Sequence, residues 1–195
     1  MKYSKNAKYD YEINGINEEN GYTKWYNKEI TGKKFRLAGT YSQAFMVAVL
    51  IGVSRVFAED IKAFGIPKII LLLALNAIIL LLIVAPMREI LHLLPVSKGR
   101  LDEKCIMSFK NHFSVYNGCV NRIQILISLA LPLLVFISGF GLSAVFTSGI
   151  VRFFALFILV ESCFMCHSDI YMLFFCIKNI GKNDTVFGEY KKSKK

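Results

Sequence analysis

The chain has 195 residues, 54% of them hydrophobic, and a formal net charge of +10. A soluble domain of this length rarely carries so many long uncharged stretches, so the composition argues against a soluble domain and for an integral membrane protein. The basic residues follow the ends of the apolar stretches instead of forming one folded patch, which indicates the lipid bilayer and not nucleic acid as the partner.

Residues 1–36 form a polar, charged and aromatic segment. This segment has neither the apolar core nor the small-residue cleavage site of a signal peptide. We therefore expect the chain to enter the membrane through its own spanning helices, with residues 1–36 as a cytoplasmic N-terminal segment.

Four stretches approach or meet the roughly 20 apolar residues that a transmembrane helix needs. In chain order they are residues 37–54, 69–87, 123–151 and 153–177. Pro86 is expected to kink the second stretch, and a turn is expected near residues 147–149 in the long third one. The sequence therefore predicts an all-α fold, a polytopic helical bundle with about four transmembrane helices.

The basic residues predict the orientation of this bundle. Residues 1–36 carry eight Lys and Arg, residues 95–122 carry five and residues 178–195 carry six, which together make 19 of the 24 in the chain. Because basic segments tend to stay in the cytoplasm, we expect a multi-pass protein of the cell membrane with both termini inside. The predicted organisation is an N-terminal segment, a transmembrane domain (37–178) with a basic cytoplasmic loop (95–122), and a basic tail (179–195).

The five cysteines predict no disulfide framework, because their number is odd and all lie in the membrane or on its cytoplasmic side. Cys163, Cys166 and His167 match a pattern used for soft metals, redox chemistry or haem attachment. Within an apolar span, however, cysteines are more often packing residues.

Ionisable residues inside a membrane are costly and therefore point to function. One group closes the second span: Arg88, Glu89 and His92. The other lies in the fourth span: Glu161, His167 and Asp169. In the four-span arrangement both spans run from outside to inside, and the rise of about 1.5 Å per residue places both groups in the cytoplasmic half of the membrane. We expect them to meet.

The first group has the spacing of a zinc-protease helix. In H-E-x-x-H, two histidines one turn apart hold zinc and the glutamate activates the metal-bound water. Here Arg88 stands at the first histidine position, followed by Glu89 and His92.

Residues 66–190 resemble a bacterial family of small membrane proteins catalogued as zincin peptidases, which are similar in logic to site-2-type intramembrane metalloproteases. The resemblance rests on the run Pro86 to His92, the basic loop that follows it, Leu131-Pro132 in the next span, and His167-Ser168-Asp169-Ile170 before the tail. It implies that Glu89 is the general base, that His92 and Asp169 are metal ligands, that zinc is the cofactor, and that the substrate is a peptide or membrane protein.

Arg88 departs from this pattern, because a guanidinium group has no lone pair to give to zinc. Three interpretations stay open. Arg88 replaces the metal cation and pairs with Asp169 or Glu89, so that the protein is a non-catalytic scaffold or regulatory protein. Alternatively, His167, Glu161 or Cys166 supplies the missing ligand and the peptidase is active. In the third, the pattern is only a helix end at the interface. A small transporter using Glu161 is a further, separate hypothesis.

Overall fold

The computed structural model describes the backbone of residues 2–3, 15–25, 28–108 and 113–193, and the side chains of residues 15–25, 39–108 and 114–193. This part of the chain is mostly helical. In chain order its helices are α1 (Lys28–Val56), α2 (Ala58–Phe64), α3 (Ile66–Ile79), a π-helical segment (Leu80–Val84), α4 (Ala85–Val96), α5 (Arg122–Phe146), α6 (Gly149–Met165) and α7 (His167–Asn179).

Two helices within the described residues are long and apolar enough to cross a membrane. They are Ile66–Val96, which runs from α3 to α4 with 31 residues, and α5 with 25 residues. The pair α6 and α7 makes a third span if it is counted as one helix, bent by 43°. The mostly helical, membrane-compatible architecture is confirmed, whereas the prediction of about four spans is not, because α1 is not among these helices.

The second predicted span contains a π turn just before the proline that was expected to kink it. In the segment Leu80–Val84, the N–H of Ala85 donates to the carbonyl of Leu80 across five residues. Pro86, which has no N–H to donate, follows in the first turn of α4. Because a π turn holds about one residue more than an α-helical turn, α4 is rotated relative to α3.

The basic segments form β-structure, so the all-α prediction holds only in its coarse form. One sheet has the order β1-β3-β4, with strands β1 (Lys2–Tyr3), β3 (Cys105–Ser108) and β4 (Phe113–Tyr116). The other has the order β2-β7-β6-β5, with strands β2 (Thr23–Lys24), β5 (Val120–Asn121), β6 (Asp184–Phe187) and β7 (Tyr190–Ser193).

The two sheets join the N-terminal segment, the loop after α4 and the C-terminal tail. β1 pairs with β3, β2 pairs with β7, and β5 pairs with β6. These segments are far apart in the sequence, yet they build one layer across the end of the helical bundle. It follows that the N-terminal segment, the loop and the tail all lie at the same end of the bundle.

A glycine turn and hydrogen bonds to Asp184 stabilise the β6–β7 hairpin of the tail. Gly188 adopts a positive φ of 54° in the two-residue turn of the β6–β7 hairpin, which suits glycine. Asp184 accepts hydrogen bonds from the Gly181 N–H and the Ser193 hydroxyl, both at 2.8 Å. These donors and the nearby Lys191 ammonium hold the pKa of Asp184 below its usual value.

Two apolar clusters form the core among the described residues. One lies beneath the sheets and consists of Val120, Cys176, Ile180 and Val186. The other lies inside the bundle and consists of Val84, Phe136 and Cys166. Four of the polar residues singled out from the sequence, Arg88, Glu89, His92 and Asp169, come together where side chains of α4 contact α7.

Candidate functional site

Helix α4 presents Arg88 and His92 on one face, because they are one helical turn apart. Opposite them, the bend at Cys166 ends α6, and Asp169 follows in the first turn of α7. All the charged side chains here are largely buried: the exposed fractions are 16% for Arg88, 6% for Glu89, 13% for His92 and 7% for Asp169. Of the two polar groups predicted to meet, the first is therefore in direct contact with Asp169 of the second.

Arg88 lies at the centre of this cluster. Its Nε donates to Asp169 Oδ2 at 3.0 Å and its Nη2 donates to Asp169 Oδ1 at 2.6 Å. The two residues therefore form a bidentate ion pair. Its Nη1 donates to Glu89 Oε1 at 2.9 Å, and Nη2 also donates to the Ser168 hydroxyl at 3.1 Å. One guanidinium group thus binds both carboxylates of the site.

His92 is held between α5 and Asp169. Its Nδ1 lies 2.8 Å from the carbonyl oxygen of Ser128, and its Nε2 lies 3.3 Å from Asp169 Oδ2. The Ser128 hydroxyl donates back to the His92 carbonyl at 2.7 Å. Both ring nitrogens of His92 therefore face oxygen acceptors, one on α5 and one on α7.

Both carboxylate oxygens of Glu89 are engaged in contacts. Its Oε1 binds Arg88, and its Oε2 accepts a hydrogen bond of 2.6 Å from the Ser114 hydroxyl in β4. Sequence reasoning missed Ser114, Ser128 and Ser168, since serines in helices and short strands follow no pattern that marks them. The four named residues and three serines form what we call the Arg88 cluster.

The residues of the cluster do not fit a zincin metal centre. Such a centre needs three protein ligands and a water, and the resemblance supplies only two ligands here, His92 and Asp169. Both oxygens of Asp169 are bound by the guanidinium group. Within the described residues no group of three His, Cys, Asp or Glu side chains is placed to hold a metal. Zinc binding stays a prediction of the family resemblance.

Of the three residues considered as replacement ligands, two point away from the cluster. The Nδ1 of His167 lies 2.8 Å from the carbonyl oxygen of Phe164, and its Nε2 faces Gly39 of α1. Glu161 accepts a hydrogen bond from Asn76 of α3. Cys166 is buried beside Arg88 within the apolar cluster of the bundle. No disulfide forms, since all five cysteines are free.

The π turn determines which residues of the long span face α6 and α7. In an uninterrupted α-helix, Asn76 and Arg88 would be about 3.3 turns apart and would point about 120° away from each other. With one residue taken up by the π turn, they are separated by about three whole turns. Asn76 therefore contacts Glu161 of α6 while Arg88 contacts Asp169 of α7, both on the same side of the span.

A cavity of about 430 Å³ adjoins the cluster on the side of the sheets. It lies between α4, α5, α7 and the strands. His92, Ser114 and Ser128 line it together with mostly apolar side chains, which include Leu93, Leu129, Met172 and Val186. His92 thus forms part of both the cluster and the cavity wall.

The chain matches no family model, no curated protein and no solved structure. Its function is therefore argued from the geometry of the cluster.

Proposed function

We propose that the chain is an integral membrane protein of zincin-like organisation in which Arg88 takes the place of the metal cation. The protein would be a non-catalytic scaffold or regulatory protein that binds a peptide or a membrane protein. The observation that carries this proposal is the bidentate ion pair between Arg88 and Asp169, together with the hydrogen bond from Arg88 to Glu89.

The charges of the cluster support this proposal. A divalent cation would bind the carboxylates at positions 89 and 169, and the Arg88 guanidinium, itself a cation, binds both of them without a metal. A charge buried in a membrane protein is tolerated when a partner and hydrogen bonds accompany it. The general base implied by the resemblance, Glu89, contacts Arg88 with one carboxylate oxygen and Ser114 with the other.

The cavity beside His92 supports a binding role. Its volume of about 430 Å³ lies within the range of about 300–1,000 Å³ that is usual for ligand pockets. Apolar walls with a few polar groups suit an apolar segment of a peptide or membrane protein, which is the partner we propose.

One observation favours the second candidate, an active metallopeptidase with Glu89 as base. The Nδ1 of His92 faces a backbone carbonyl, and its Nε2 therefore points towards Asp169. Metal-binding histidines use this arrangement, in which a carbonyl fixes the ring orientation. Such an enzyme would hydrolyse a peptide bond at the cytoplasmic face, and it would require Arg88 to leave Asp169.

The metal content of the purified protein separates the two candidates. For the wild-type protein in detergent, equilibrated with zinc and then desalted, we expect no stoichiometric zinc, and no change in zinc content in a His92→Ala variant. Atomic emission measured against protein concentration gives the ratio. About one zinc per chain, lost in His92→Ala, would show that a metal occupies the site and would refute the proposal that Arg88 takes its place.

We further propose four membrane spans with both termini in the cytoplasm. The pairing of β2 with β7 requires the segments before α1 and after α7 to lie on the same side of the membrane, which needs an even number of crossings. If α6 and α7 form one bent span, α1 must be the fourth. The packing of α1 against α6 and α7 supports this, as does the basic character of the sheet layer.

Labelling with a membrane-impermeant maleimide tests this topology. Cys119 is exposed in the sheet layer, and Ser148 is exposed in the turn between α5 and α6. We expect Cys119 to react only in inverted vesicles and Ser148→Cys to react in intact cells, as mass spectrometry of the labelled peptides would show. Reaction of both from one side would contradict the four-span arrangement.

A further inference from the structure

A second polar contact lies deeper in the bundle, away from the Arg88 cluster. Asn76 lies in α3, well inside the apolar span Ile66–Val96, and is only 3% exposed. Its Nδ2 donates to Glu161 Oε2 at 2.5 Å. Since Asn76 belongs to the long apolar span, this contact places the carboxyl group of Glu161 within the membrane as well.

Glu161 has no cationic partner among the described side chains. The ion pairs in this part of the chain involve Glu89, Asp169, Asp184 and Glu189, but not Glu161. The contrast with Glu89 is informative, because both are membrane-embedded glutamates and only Glu89 is next to an arginine. An unpaired carboxylate inside a membrane is strongly disfavoured, and it neutralises itself by taking up a proton.

A hydrogen-bond acceptor beside Glu161 is left without a donor. Of the described residues, none donates to Asn76 Oδ1, although this atom is fully buried. An ionised carboxylate could not help, since it only accepts hydrogen bonds, whereas a carboxylic acid has one O–H to donate. A protonated Glu161 would supply one O–H for Asn76 Oδ1 while Asn76 Nδ2 donates to the other carboxyl oxygen, so an acid–amide pair would satisfy both groups.

We propose that Glu161 is a proton-binding site inside the membrane, held as a neutral carboxylic acid by Asn76. The ligand is one proton from the aqueous phase, which forms an O–H bond on the carboxylate, and no other reactant is needed. Loss of this proton would leave an unpaired anion between α3 and α6. The site does not depend on Arg88, so this inference stands or falls separately from the proposed function.

Infrared spectroscopy of the full-length protein in liposomes at neutral pH tests this proposal. We expect a carboxylic-acid C=O band above the amide I band, shifted to lower frequency when the protein is made with ¹³C-glutamate. The band should be lost in Glu161→Gln, which keeps the hydrogen bond with Asn76, and should remain in the matched control Glu89→Gln. In Asn76→Leu it should move to higher frequency, because a free acid C=O is stiffer than a bonded one.

Three outcomes would overturn the proposal: no acid band at neutral pH, a band unchanged in Glu161→Gln, or a band present only when sodium ions are left out. The last would show that a metal cation, and not a proton, occupies the site. Size-exclusion chromatography of each variant in detergent shows whether it is folded.

Discussion

Replacing Arg88 with methionine is expected to lower the free energy of unfolding by about 3–5 kcal/mol, the usual cost of removing one partner of a buried ion pair. The methionine fills similar space but leaves the carboxylates of Asp169 and Glu89 buried without their shared cation. Unfolding in detergent, followed by circular dichroism, measures the change. The matched control is Arg100→Met, which alters an exposed arginine and should change stability by less than about 0.5 kcal/mol.

The same experiment can be extended to the partner of Arg88. Adding Asp169→Asn to Arg88→Met removes one of the two stranded charges, so the double variant should be more stable than Arg88→Met alone. If Arg88→Met behaves like Arg100→Met, or if Asp169→Asn makes it worse, the guanidinium group is not what neutralises the site.

Deleting Leu82 from the π turn is expected to cost at least about 1 kcal/mol, because it breaks one of the two buried polar contacts on the span. Without the extra residue the helix becomes regular, and α4 turns by about 100° relative to α3. Either Asn76 then loses Glu161 or Arg88 loses Asp169.

The control for this deletion is Leu82→Ala. The side chain of Leu82 is 71% exposed, so truncating it removes little packing within the protein and keeps the register of the span. Thermal unfolding in detergent compares the variants. A deletion variant as stable as Leu82→Ala would show that the π turn does not determine the side of the helix on which Arg88 lies.

Much of the helical architecture was predictable because a long apolar run is by itself enough to predict a membrane-spanning helix. The turn expected near residues 147–149 lies between α5 and α6. The expected contact between the groups at positions 92 and 169 is also present. The turn followed from the length of the uncharged stretch, and the contact followed from helical rise combined with the charge bias of the connecting segments.

The sheets could not be predicted in the same way, because each strand has only two to four residues and finds its partner far along the chain. β2 pairs with β7 across most of the sequence. Nothing local in a stretch such as Thr23–Lys24 indicates that partner. A strand pairing of this kind is stabilised by packing in the assembled layer, not by the propensity of its residues.

The π turn was also hidden from sequence reasoning. The apolar residues around Pro86 fit an ordinary helix of 3.6 residues per turn, and proline predicts a kink but not an extra residue. The side of the span on which Arg88 lies therefore could not be deduced from the sequence. The three serines that complete the Arg88 cluster were missed for a different reason, since they act only through contacts that the fold creates.

Zinc binding by an Arg88→His variant tests most directly whether Arg88 stands in for a metal. This substitution restores H-E-x-x-H and removes the guanidinium group that occupies both oxygens of Asp169. We predict about one tightly bound zinc per chain in Arg88→His, lost again when His92→Ala is added, and none in the wild-type protein. Failure of the folded Arg88→His variant to bind zinc, or stoichiometric zinc in the wild type, would contradict the account.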